Sequence, residues 1–214
     1  MMNTILAHTP PKRDSNLPPH PLKEHLKSVS ELCASFAKET LPHDPTFIDS
    51  ARVAGWLHDV GKYGDLFQKR LQGKEKHIDH WSAGAYVAAK DFKELLSSSA
   101  ILGHHLGLQP FPDLWNLCNQ EKLAQRHPLN LKLSEANTQI LLNRFKSDFP
   151  EATHSTININ KMSLSGIPLE LDLRLLFSCL VDADFLDTEA HFNRNGEGKQ
   201  FRRNGPPLDA SKGV

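Results

Sequence analysis

Paired cysteines, long apolar runs, a surplus of either charge and strand-like alternation are all scarce in this chain of 214 residues. Each scarcity removes a class of function. Lys and Arg total 25 against 25 Asp and Glu, so no global basic field holds a polyanion by counterion release, and any nucleic-acid contact has to be local. No run approaches the roughly 18 apolar residues of a membrane span, which leaves no membrane partner to expect. The apolar stretch near the N-terminus is too short for a signal-peptide core and is broken by His8 and Pro10, so a cytoplasmic location is expected. Cys33, Cys118 and Cys179 are odd in number, far apart and set in apolar patterns, which suits buried thiols in a reducing compartment. The phosphate-gripping pattern G-x-x-x-x-G-K-[ST] is missing, so a nucleotide-driven motor is not expected within this sequence. What the chain has in quantity is histidine, 12 residues, several beside aspartate or beside one another.

Residues 1–21 hold five prolines among polar residues and read as an extended arm without regular structure. The domain is expected over 22–190. Leu22, Leu26, Val29, Leu32 and Phe36 recur at helical spacing, with His25 on the same stripe, until Leu41-Pro42. A second helix is expected from about 46 to 60, with His58 inward and Gly61 as its stop. A short helix covers 66–71, and Asp79 or Ser82 caps another over about 82–96, just after His80. Residues 100–105 are helical and end on His104 and His105, whereas 113–133 are ambiguous. Helices follow over 134–149 and from Pro168 to about Ala190, the latter with Leu173, Phe177, Leu180 and Asp184 on one stripe; 153–165 read as loop. Residues 191–214, rich in Gly and Pro, read as a flexible tail or linker. About seven or more helices with almost no strand define an all-α helical bundle.

The chemistry resides in His25, His58, Asp59, His80, His104, His105 and Asp184, contributed by separate segments and each on or beside an apolar pattern. One inward histidine is ordinarily a satisfied core residue. Burying so many unpartnered polar groups would cost about 2 kcal/mol or more apiece, whereas a shared metal centre satisfies them together. Imidazole and carboxylate without thiolate suit Mn, Fe, Co or Ni better than Mg or a structural Zn, and seven donors exceed the capacity of one ion, so two are expected. Five neutral imidazoles and two carboxylates around two divalent ions leave a charge of roughly +2, a local attraction for phosphate. Trp115 is the tryptophan best placed for stacking in a groove, Trp56 reads as core, and His8, His20, His43, His77, His127, His154 and His191 are expected on the surface.

His58-Asp59-Val60-Gly61-Lys62 resembles the HD-x-G-K motif of the His-Asp (HD) phosphohydrolase superfamily, an all-α fold. Together with the segments Asp79 to Ala85, Gly103 to Gly107 and Leu180 to Glu189, it resembles the CRISPR-associated HD nuclease, the nuclease part of the type I helicase-nuclease, over about residues 20–190. The resemblance implies a first metal on His25, His58, Asp59 and Asp184 and a second on Asp59, His80, His104 and His105. His20 competes with His25 and Asp182 with Asp184; the inward stripes and the family pattern favour His25 and Asp184, and leave Asp182 and Asp187 as supporting or surface acids. Lys62 resembles the motif lysine that faces a phosphate oxygen, which makes His58, Asp59 and Lys62 the catalytic candidates. The implied activity is two-metal hydrolysis of single-stranded DNA by an activated water, in partnership with a CRISPR surveillance complex and a helicase part supplied in trans or by a missing segment. An HD phosphohydrolase acting on small nucleotides is the alternative.

Overall fold

The computed structural model describes residues 4–12, 16–108, 131–152, 167–195 and 198–201. Among these, seven α-helices dominate: α1 Leu22–Thr40, α2 Pro45–Leu57, α3 Asp65–Leu71, α4 Ser82–Lys90, α5 Leu95–Leu106, α6 Thr138–Asp148 and α7 Ile167–Phe192. Two small pairings join them, β1 Leu6–His8 antiparallel to β2 His20–Pro21, and β3 Ile78–Asp79 parallel to β4 Lys132–Leu133. The all-α expectation holds. No helix among the described residues is long and apolar enough to cross a membrane.

Helix α1 buries Leu22, His25, Leu26, Val29, Cys33 and Ala37, a face that recurs every three or four residues. Leu32 and Phe36, expected on that stripe, are half-buried at its edge, because Cys33, Ala34 and Ala37 are the smaller residues that let neighbours approach. Helix α1 packs on α2 and α7, α5 packs on α4 and α7, and α2 lies among all of them. Helix α2 begins on the Asp44 carboxylate, which accepts the Phe47 N–H at 2.9 Å, with Pro45 in the first turn. Cys33 and Cys179 are buried free thiols; Cys118, Trp115, His127, His154 and segments 109–130 and 153–166 lie outside the described residues.

Several boundaries differ from the sequence reading, each for a local reason. Helix α2 stops at Leu57 rather than 60, and a 3-10 turn, Val60–Tyr63, carries the rest. The single helix expected over 82–96 is broken after Lys90 by Lys93 at φ 59, and buried Phe92 fills the bend. Helix α5 therefore starts earlier, at Leu95, where the buried Glu94 carboxylate accepts the Ser50 and Ser97 hydroxyls at 2.7 and 3.2 Å. Helix α6 begins at Thr138, not 134, because Ser134 instead donates its N–H to Asp79 beside β4, and Asn137 caps the helix. The arm is not devoid of regular structure. Its prolines tolerate a short edge pairing in which Leu6 faces Pro21 and His8 faces His20.

Two glycines fix how these pieces meet. A Cβ on Gly84 would sit 1.9 Å from the Leu57 carbonyl oxygen, so only glycine lets the start of α4 pass the end of α2. A Cβ on Gly61 would sit 2.3 Å from the His80 carbonyl oxygen, to which the Gly61 N–H donates at 3.1 Å. That contact, rather than a helix stop, is the role of the glycine in the HD-x-G-K segment: it seats the 3-10 turn against the backbone of His80. Gly61→Ala is expected to lose about 1–3 kcal/mol of stability, the usual cost of overpacking, measured as a lower urea midpoint with unchanged slope.

Candidate metal centre

Five structural segments deliver the acid and imidazole groups. Helix α1 supplies His25, the end of α2 supplies His58 and Asp59, the β3–α4 junction supplies His80, the last turn of α5 supplies His104 and His105, and α7 supplies Asp184. Neighbouring residues on an α-helix diverge by about 100°. His58 and Asp59 nonetheless converge, Nε2 to Oδ2 at 3.3 Å, because the backbone leaves the helix at Asp59, with φ −116 and ψ 19. Asp79 Oδ1 accepts the N–H groups of Trp81 and Ser82 at 2.9 and 3.0 Å, which starts α4 and fixes His80 between them.

One cluster unites His25, His58, Asp59 and Asp184, whose ligand atoms lie within 4.8 Å of one another. His25 Nε2 stands 3.2 Å from His58 Nε2, 3.2 Å from Asp59 Oδ2 and 3.3 Å from Asp184 Oδ1. The outer ring nitrogens are already committed: His25 Nδ1 donates to Asp187 Oδ2 and His58 Nδ1 to the Gly55 carbonyl, both at 2.8 Å. Both Nε2 atoms are thereby turned inward. A second cluster unites Asp59, His80 and His105, with Asp59 Oδ1 3.5 Å from His80 Nε2, which is 3.0 Å from His105 Nε2. Asp59 is common to both, one oxygen facing each.

Burial opposes a charge on His25, but hydrogen bonds to Asp184, Asp187 and Asp59 outweigh it and hold the ring proton up to a pKa of about 10. His58 follows the same balance, with burial outweighed by the Asp59 charge and by Asp184, to about 9. Burial likewise opposes ionisation of Asp59, yet Lys62 and His58 keep it well below the ordinary carboxylate range. At the second cluster burial prevails and lowers His80 and His105, leaving neutral imidazoles. A divalent cation would take the place of the protons that His25 and His58 hold between their inward-facing Nε2 atoms and the ionised Asp59 and Asp184. The donor set fits metal.

His104 is placed differently from the others. Its Nδ1 donates to the Ile101 carbonyl, its ring meets those of His58 and His105 at centroid distances of 5.4 and 4.0 Å, and its buried Nε2 has no hydrogen-bond partner among the described residues. It flanks the second cluster without joining the group whose ligand atoms are mutually close. Lys62 is not a solvated side chain. It is buried, with Nζ 2.6 Å from Asp59 Oδ2 and 2.8 Å from His8 Nε2, to which it donates. Asp182 is exposed.

The sequence reading of His8, His20 and His191 as surface residues is corrected. His20 and His191 are fully buried and stack at 3.9 Å, His20 Nε2 is 3.3 Å from Asp187 Oδ2, and His191 donates to the Pro18 carbonyl. His43 and His77 are exposed as expected. Asp187 is a fully buried carboxylate that links His25, His20 and Lys199, whose Nζ lies 2.5 Å away. The chain just past α7 therefore returns to the centre, and Gln200 donates its N–H to the Ala190 carbonyl. Signals for these residues existed: Asp187 falls three residues after Asp184, and Ile5-Leu6-Ala7 is an apolar run leading into His8.

The HD domain family is matched over residues 22–137, more than half of the chain. The chain belongs to the HD domain family. None of the curated proteins matches it. The matched span contains His25, His58, Asp59, His80, His104 and His105, while the acids of α7 follow it. As an HD domain with clustered histidine and aspartate side chains able to hold divalent metal, the protein is a metal-dependent phosphohydrolase. Mn or Ni at 100 times its dissociation constant is expected to stabilise the protein by about 2.7 kcal/mol, read as a raised melting temperature. Asp59→Ala is expected to lose most of that shift and His43→Ala none of it.

Proposed function

We propose that this HD domain is a nuclease that hydrolyses phosphodiester bonds of single-stranded DNA in type I CRISPR interference. The reading is carried by the Asp59 carboxylate, whose two oxygens face two separate histidine clusters. A shared carboxylate of this kind is the device by which two ions are held side by side for in-line displacement at phosphorus. In this proposal His25, His58, Asp59 and Asp184 hold one ion, and Asp59, His80 and His105, flanked by His104, hold the other. Bound divalent ions, Mn, Fe, Co or Ni by donor type, supply the positive charge that makes a water nucleophilic near neutral pH and offsets the phosphate's charge.

The chain's own residues prepare that chemistry. Asp187 and the Gly55 carbonyl orient His25 and His58, so the ring lone pairs point inward once their protons leave. Lys62 holds Asp59 ionised and fixed by its 2.6 Å contact, and His8 anchors Lys62 from the other side. Hydrolysis through water needs no covalent intermediate, and no serine or cysteine is given a nucleophilic role. The segments Asp79 to Ala85, Gly103 to Gly107 and Leu180 to Glu189, in that order after the HD pair, favour the CRISPR-associated branch. In this proposal 22–190 is the nuclease domain, onto which the arm and Lys199 fold, and the segment from 191 leads on towards a helicase part that feeds the displaced strand from the surveillance complex, in the cytoplasm.

Metal-stripped protein supplied with Mn, Co, Ni, Mg or Zn is tested on circular single-stranded DNA and, separately, on nucleoside mono- and triphosphates. Cutting of the circle with Mn, Co or Ni, reduced more than about 100-fold by Asp59→Ala, is the expected result. Release of phosphate or nucleoside with the circle intact would instead establish the small-nucleotide activity.

A further inference from the structure

A cleft of about 550 Å³ opens on the second cluster, lined by His80 and His105 of that cluster and by Arg70, Lys76 and His77. That volume lies within the roughly 300–1,000 Å³ of ligand clefts. Through His80 and His105 it is continuous with the candidate metal centre. Arg70, Lys76, His77 and His105 are all exposed, so the cleft is reached from solvent past the Arg70 and Lys76 cations. In a chain of zero formal charge this is a local basic feature of the sort that nucleic-acid contact requires.

The edge is built rather than incidental. The Arg70 guanidinium lies 5.3 Å from the centroid of Phe67, whose ring is 4.8 Å from that of His80, so an aromatic shelf sets Arg70 beside the metal-binding imidazoles. Lys76 precedes His77, which takes up φ 56, and the His77 carbonyl accepts the Lys132 N–H at 2.9 Å as β3 and β4 begin to pair. Neither Arg70 nor Lys76 has a carboxylate partner among the described residues, and the one acid of the lining, Glu75, is 3.9 Å from Lys132 Nζ. These two rim cations are placed to take the phosphates next to the one being cut.

We propose that this cleft seats the backbone of a single-stranded polynucleotide leading away from the scissile bond, with Arg70 and Lys76 each gripping one flanking phosphate. The proposal rests on the nuclease reading and adds to it the direction of the strand and the residues that hold it. Because the grip is on phosphate, it is indifferent to base sequence. A small nucleotide bound at the centre would not depend on Arg70 or Lys76.

The test uses the full chain loaded with Mn and three readouts: binding of a fluorescein-labelled single-stranded oligodeoxynucleotide by anisotropy across a salt series, cutting of circular single-stranded DNA, and turnover of bis(p-nitrophenyl) phosphate. The double variant Arg70→Gln/Lys76→Gln is expected to bind the oligonucleotide roughly tenfold or more weakly at 0.1 M salt and to lower the slope of log affinity against log salt by about 1.4, the contribution of two phosphates on a single strand. Its turnover of the small diester should be that of the unaltered protein, and Arg70→Lys/Lys76→Arg should restore binding. An unchanged affinity and salt slope in the double variant, or no oligonucleotide binding by the unaltered protein, overturns the proposal. Tight, salt-dependent binding that needs Arg70 and Lys76, with the circle left intact and the small diester still hydrolysed, would keep the cleft and reject the nuclease reading.

Discussion

The structure depends on one buried carboxylate serving two neighbourhoods. Asp59 is 1% exposed, and an ion of that kind is costly to keep inside a protein unless it is fully compensated. Here the compensation is spread over Lys62, His25 and His58 on one oxygen and His80 on the other. Each of those residues comes from a different turn or helix, so the packing of α1 against α2, of α2 against α4 and of the 3-10 turn against β3 has to be correct at the same time. The small residues at the crossings make this possible. Gly61 lets the turn after Asp59 rest on the His80 backbone, and Gly84 lets α4 approach the end of α2.

Around that carboxylate the residues form shells with divided tasks. The inner imidazoles present Nε2, and their Nδ1 atoms are fixed by Asp187, Gly55 and, for His104, Ile101. Lys62 sits between Asp59 and His8, and His8 is steadied because Gln68 accepts the Leu6 N–H and donates to both the Leu6 and Lys62 carbonyls. The two histidine clusters differ in electrostatic character: carboxylates keep His25 and His58 protonated, whereas burial leaves His80 and His105 neutral. The centre is thus graded, with the acids Asp184 and Asp187 paired to cations on the α7 side and neutral imidazoles on the side of the cleft at His105.

Much of this is legible in the sequence. The three- and four-residue spacing of Leu22, Leu26 and Val29 identified α1 and put His25 on its inner face, and the stripe through Leu180 put Asp184 on the inner face of α7. Two kinds of information were not legible. Where a helix ends depends on single tertiary contacts, such as the left-handed Lys93 between α4 and α5 or the Ser134 N–H bonding to Asp79, and periodicity is silent about those. Composition marks the proline-rich arm as extended, yet two residue pairs suffice to bring His20 into the interior and His8 against Lys62. Lys62 illustrates the same limit, because its neighbours Asp59 and His8 decide that it is buried, and only the first of them is nearby in sequence.

The contacts that complete the centre span most of the polypeptide: His25 meets Asp187 across 162 positions and His191 meets Pro18 across 173. A ribosome adds roughly 5–20 residues per second, so Asp184 emerges on the order of ten seconds after His25. Through that interval the nascent chain holds imidazoles from α1, α2 and α5 without the acids that finish the set. The cluster of His25, His58, Asp59 and Asp184 is therefore completed only with the last helix, after every other ligand-bearing helix has already been made.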